Sequence, residues 1–138
     1  MRKQFLIAWP VIFILWMFGS FLIHGMLLKP EYDSVPNLFR TDAESMPYFP
    51  WMILAHVILA AAFSLIYVRG SERKPWMSQG LRFGFLIALM GVVPTYLIYF
   101  AIQPMPGATV VKQILFDGLL VTLLGAVVAA IYKGHERA

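Results

Sequence analysis

Three ionisable side chains lie inside long apolar stretches of this chain: His24, His56 and Asp117. An ionisable group is costly in a bilayer, so each is a candidate for function. A carboxylate beside imidazoles, whose unperturbed pKa is about 6.5, can exchange protons or hold a cation during transport. Two histidines and an aspartate can also supply three ligands to a metal ion, and two histidines can take the axial positions of a haem. No His-x-x-His or Glu-x-x-His spacing accompanies these residues. The structural alternative is polar glue, with Asp117 accepting a hydrogen bond from a histidine or tyrosine and fixing helix register.

The depths of the three coincide. His24 lies five residues before Lys29, His56 five after Trp51 and Asp117 five after Lys112. At the helical rise each is expected about 7.5 Å below the outer surface. Helical spacing puts His24 on a face with Ser20, His56 with Ala60 and Ser64, and Asp117 with Gln113, so all three are expected to point inward. Tyr96 and Tyr99 reach the same layer from another span, with Gln103 at the rim. The predicted site is thus a polar cluster of Ser20, His24, His56, Tyr96, Tyr99, Gln113 and Asp117 at the outer mouth of a helix bundle. An enzyme is the least supported class, because Ser20, His24 and Asp117 are the only available nucleophile, base and acid, and a serine four residues before a histidine recurs by chance.

The elements that must position this cluster follow from composition. The chain has 138 residues, 60% apolar and 13% charged, with a mean hydropathy of +0.74. Soluble domains carry about 25% charged and about 45–50% apolar residues, so a soluble fold is excluded. The 11 Lys and Arg exceed the 7 Asp and Glu, giving a net charge of +4. No basic cluster is interleaved with aromatics, which argues against nucleic acid and for membrane topology. The chain has no cysteine, so disulfides, thiolate metal sites and cysteine nucleophiles are absent.

Four apolar stretches have the length of about 20 residues needed to cross a bilayer. They run over about 5–28, 51–68, 81–102 and 110–132. The first follows Arg2 and Lys3, but its apolar run exceeds a signal peptide's core of about 7–15 residues, and no small-x-small cleavage site follows. It is expected to be a retained helix. The predicted fold class is all-α: one transmembrane domain spanning 1–138, an antiparallel four-helix bundle. Arg2, Lys3, Arg69, Arg73, Lys74, Arg82, Lys133 and Arg137 fall on one side, against Lys29, Arg40 and Lys112 on the other. By the positive-inside tendency both termini are expected in the cytoplasm.

The one long connection, 29–50, contains Pro30, Pro36, Pro47 and Pro50 and so cannot be a continuous helix. Thr41 to Glu44 has the spacing of a capping box, which predicts a single helical turn. Tyr32, Leu38, Phe39, Tyr48 and Phe49 suit a loop that lies on the membrane surface or folds over the bundle mouth. Helices in lipid pack through small residues. The fourth span offers Gly118, Thr122, Gly125 and Ala129, and the third Gly84, Ala88 and Gly91, followed by a kink at Pro94. Trp51, Trp76, Tyr67 and Tyr132 sit where interfacial anchors are expected. Trp16, near the middle of its span, is expected to pack against a helix or lipid.

The segment Gln113-Ile-Leu-Phe-Asp117-Gly118-Leu-Leu-Val-Thr-Leu-Leu-Gly125 resembles the last span of small bacterial four-span membrane proteins of unknown function. The first span, ending in His24-Gly25 before a loop bearing proline and tyrosine, is similar too. This resemblance implies a four-span, multi-pass protein of a bacterial inner membrane. It assigns no activity, cofactor or functional residue. Lipid is the one partner expected outright, and a chain this small could also complete a larger membrane complex.

Overall fold

The computed structural model describes residues 2–72 and 74–133, and among these every regular element is helical. Arg73 and Arg137 of the cation pattern lie outside the described residues. Helix α1 (Arg2–Ser20) continues into a π-helical segment, Phe21–Leu27. The connection that follows holds two short helices, α2 (Lys29–Asp33) and α3 (Asp42–Ser45). Helix α4 (Phe49–Gly70) comes next, then α5 (Trp76–Ile87), a π-helical segment Ala88–Val92 and α6 (Val93–Ile102) in unbroken succession. Helix α7 (Gly107–Tyr132) completes the described chain. Among the described residues, 4 helical stretches are long and apolar enough to cross a membrane, as the hydropathy pattern requires.

Prolines mark several starts. Pro30 and Pro50 occupy the first turns of α2 and α4, where a missing N–H costs nothing, while Pro75 and Pro106 cap α5 and α7. The helix bearing the third span begins at Trp76, ahead of the apolar run, because Ser78 and Gln79 lower hydropathy without breaking a helix. Within that span Pro94 cannot donate to the preceding turn. The break is absorbed by the π-helical turn over Ala88–Val92, and the Thr95 hydroxyl donates to the Gly91 carbonyl at 2.5 Å.

The tightest helix contact joins α5 to α7. A Cβ at Gly84 would stand 2.6 Å from the Val121 carbonyl oxygen and 2.7 Å from Thr122 Cα, so backbone meets backbone there. Gly80, which the small-residue pattern did not single out, extends the seam towards Gly125 and Ala129. Gly91 and Gly118 are outside it, since a Cβ on either would touch nothing within 4 Å. Of the predicted stripes, Gly84, Thr122, Gly125 and Ala129 thus lie in the seam.

An aromatic chain closes the core beside this seam. Trp16 packs edge-on to Phe63 at 5.4 Å, Phe63 lies 4.8 Å from Phe83, and Phe83 lies 5.2 Å from Tyr67, which neighbours Tyr132 at 5.8 Å. Tyr67 and Tyr132, expected as interfacial anchors, are instead 2% and 1% exposed and belong to the core. Trp51, 67% exposed, keeps the surface position expected of it. Trp9 donates its indole N–H to the Val57 carbonyl at 3.0 Å and so ties α1 to α4.

Replacing Gly84 by Val should lower stability by about 2 kcal/mol or more, because the added carbons meet backbone that cannot move aside. Gly118→Ala should be neutral or stabilising by up to about 1 kcal/mol, through helix propensity alone. Thermal unfolding of the two variants in detergent checks the contrast.

Candidate functional site

Asp117 on α7 is the centre of the polar cluster. Its carboxylate receives His24 Nε2 at 3.0 Å (Oδ2) and 3.2 Å (Oδ1), and the Tyr96 hydroxyl donates to Oδ2. On its other side, His24 Nδ1 lies 2.6 Å from the Tyr32 hydroxyl, and Gln113 Nε2 donates to that same hydroxyl at 3.1 Å. Four elements thus converge: the π-helical end of the first span, α2, α6 and α7.

With Asp117 ionised and His24 neutral, one arrangement of hydrogens serves every contact. A carboxylate only accepts, so Tyr96 O–H and His24 Nε2–H both donate to Asp117. A neutral His24 then has a bare Nδ1, which accepts the Tyr32 O–H, and the Tyr32 oxygen accepts the Gln113 amide. An imidazolium would instead donate to the Tyr32 oxygen and turn the Tyr32 hydrogen towards the cavity that this residue lines. Burial pushes the Tyr32 phenol above its usual range, so it stays an O–H donor at neutral pH.

The remaining predicted residues divide. Gln113 is in the cluster, and Tyr96 contacts Asp117 directly. Tyr99 lines the adjoining cavity and is half exposed. Ser20 and His56 form a separate pair, with His56 Nε2 3.2 Å from Ser20 Oγ and Nδ1 2.8 Å from the Met52 carbonyl. Ser20 and His24 contact different partners, His56 for Ser20 and Asp117 with Tyr32 for His24, on either side of the start of the π-helical segment at Phe21. Accordingly His24, His56 and Asp117 do not form one ligand set, and among the described residues no three His, Cys, Asp or Glu are arranged to hold a metal. Axial ligation of a haem by the two histidines would cost contacts already made by all four ring nitrogens.

Tyr32 is the member that sequence reasoning did not assign to the cluster. Its place follows from Pro30, which starts a helical turn directly after Lys29 and holds Tyr32 over His24 with the rings nearly parallel at 13°. A second tie fixes α2, the ion pair between Glu31 and Lys112 of α7. The capping box at Thr41 is formed, with Thr41 N–H donating to Glu44 at 2.9 Å and Glu44 N–H donating back to Thr41 Oγ1 at 3.3 Å.

Beneath the loop lies a cavity of about 1040 Å³, whose lining includes His24, Tyr32, Phe39, Tyr96, Phe100 and Gln113. The connection therefore folds over the mouth at its first half, while Met46, Tyr48, Phe49 and Trp51 remain exposed at its end as a surface-lying segment would. Comparison of the chain with protein-family models, curated proteins and solved structures finds no match.

The hydrogen bond from Lys112 holds the Glu31 carboxyl below its usual range. A depressed carboxyl stabilises its contact above the unfolded-state value, and that contribution is lost as pH falls through the folded value. Backbone amide exchange in 29–34, corrected for intrinsic rate, should stay slow from neutral pH down to the ordinary carboxylate range and quicken below it. Glu31→Gln should make that exchange fast and insensitive to pH in this interval.

Proposed function

We propose that this chain is a multi-pass protein of a bacterial inner membrane, an antiparallel bundle with both termini in the cytoplasm, which serves as a structural or accessory component. The His24–Asp117–Tyr96 cluster acts as a clamp that holds the outer ends of three spans and the covering loop in one register. The observation that carries this reading is the completeness of the network, in which one carboxylate satisfies donors from two other helices and one imidazole links it to the loop. Satisfied polar groups between apolar helices serve as glue. The exposed apolar face of the third span, including Leu86, Met90, Leu97 and Ile98, is available to lipid or to another subunit. The cation pattern supports the orientation.

A second reading, proton- or cation-coupled transport, is favoured by one observation: the Tyr32–His24–Asp117 chain borders an open cavity. A proton delivered to His24 through Tyr32 would pair with Asp117 without breaking the clamp.

Replacing Asp117 by Ala, or His24 by Ala, should each destabilise the protein in detergent by about 1–4 kcal/mol, and the double variant should cost clearly less than the sum. Additive costs would remove the clamp. A reporter fused after residue 138 should be active only in the cytoplasm, and activity outside it would overturn the proposed orientation.

A further inference from the structure

The cavity under the loop has a composition that the clamp does not require. Its rim carries two cations and two anions and so no net charge: Lys29 lies 3.4 Å from Asp33 and 3.9 Å from Asp42, while Arg40 stacks on Tyr48 with its guanidinium carbon 4.0 Å from the ring centre. A rim without net charge offers no field that would draw in a phosphate or an ammonium head. The walls are aromatic, and Tyr32 and Phe39 stand 4.8 Å apart at one side. Tyr99, Gln103 and Gln113 add a hydroxyl and two amides to the lining, neutral groups able to donate to carbonyl oxygens.

The cavity also continues into the outer surface of the spans. Phe21 and Phe100 line it and are 61% and 49% exposed, on helices whose exposed residues are mostly apolar. A molecule dissolved among acyl chains can thus reach the site sideways, and its tail can stay on that surface while its head enters.

From these features we propose that the cavity is a binding site for a neutral amphiphile with a planar, carbonyl-bearing ring head and an apolar tail, the chemistry of a lipid quinone. Aromatic walls accept the ring, the neutral donors hold its oxygens, and the rim adds no net charge. The proposal concerns binding, and it rests on the membrane reading given above and on the clamp that shapes the cavity.

The test uses full-length protein in phosphatidylcholine nanodiscs, photolabelled with an azide derivative of decylbenzoquinone. Labelling should saturate, map to residues 21–42 and 96–113, and be competed by unlabelled decylbenzoquinone. Tyr99→Phe and Gln103→Leu, each deleting one neutral hydrogen-bonding group, should weaken it about fivefold to tenfold. Met90→Ala, on an exposed face outside the cavity, should leave it unchanged. Unsaturable labelling spread over the apolar faces, indifference to both polar substitutions, or stronger competition by phosphatidylglycerol than by decylbenzoquinone would overturn the proposal. Melting of the same preparations separates the two claims: a cooperative transition that Asp117→Asn lowers, without saturable labelling, removes the ligand alone. An unchanged transition in Asp117→Asn with labelling retained removes the clamp alone.

Discussion

A carboxylate set within an apolar helix must have its acceptors filled, and the half of this protein around Asp117 is organised by that requirement. Asp117 lies amid residues that can offer it nothing, so its donors come from other elements. Tyr96 arrives from α6 and His24 from the π-helical end of the first span. Losing either donor leaves an unpaired acceptor in a medium without water, a penalty larger than the net value of the bond itself. His24 extends the constraint to the loop through Tyr32, so the covering segment is positioned by the same charge.

The opposite half is held by different physics. Gly80, Gly84, Gly125 and Ala129 bring two helices to backbone contact, and the ring chain from Trp16 to Tyr132 fills the space beside them. Shape complementarity suffices there, since no hydrophobic force drives helices together among acyl chains. The π-helical turn before Pro94 separates the two regimes in the third span. Below it α5 lies against α7, and beyond it α6 carries Tyr96 to Asp117 and Tyr99 and Phe100 to the cavity.

Hydropathy made the four long helices legible because each is apolar over its whole length, and the capping box at Thr41 was legible because its chemistry is local. Depth grouped His24, His56 and Asp117 with Tyr96 and Tyr99, and helical spacing added Gln113 and Ser20. Depth does not choose partners, however: His24 reaches Asp117, whereas His56 pairs with Ser20. Tyr32 was read for its ring when its hydroxyl carries the contact. Tyr67 and Tyr132 were placed at an interface because tyrosines near helix ends usually sit there, whereas the aromatic packing around Phe83 draws them inside.

The central claim is that one ordered set of hydrogens links Tyr32, His24, Asp117 and Tyr96. Nitrogen NMR of imidazole-labelled protein at neutral pH reads it directly, with His24→Gln identifying the resonances. The account predicts a protonated Nε2 and a bare, hydrogen-bonded Nδ1 at His24, with the Nδ1 signal shifted by Tyr32→Phe and the Nε2 signal by Asp117→Asn. A hydrogen on Nδ1, or resonances indifferent to both substitutions, would contradict it.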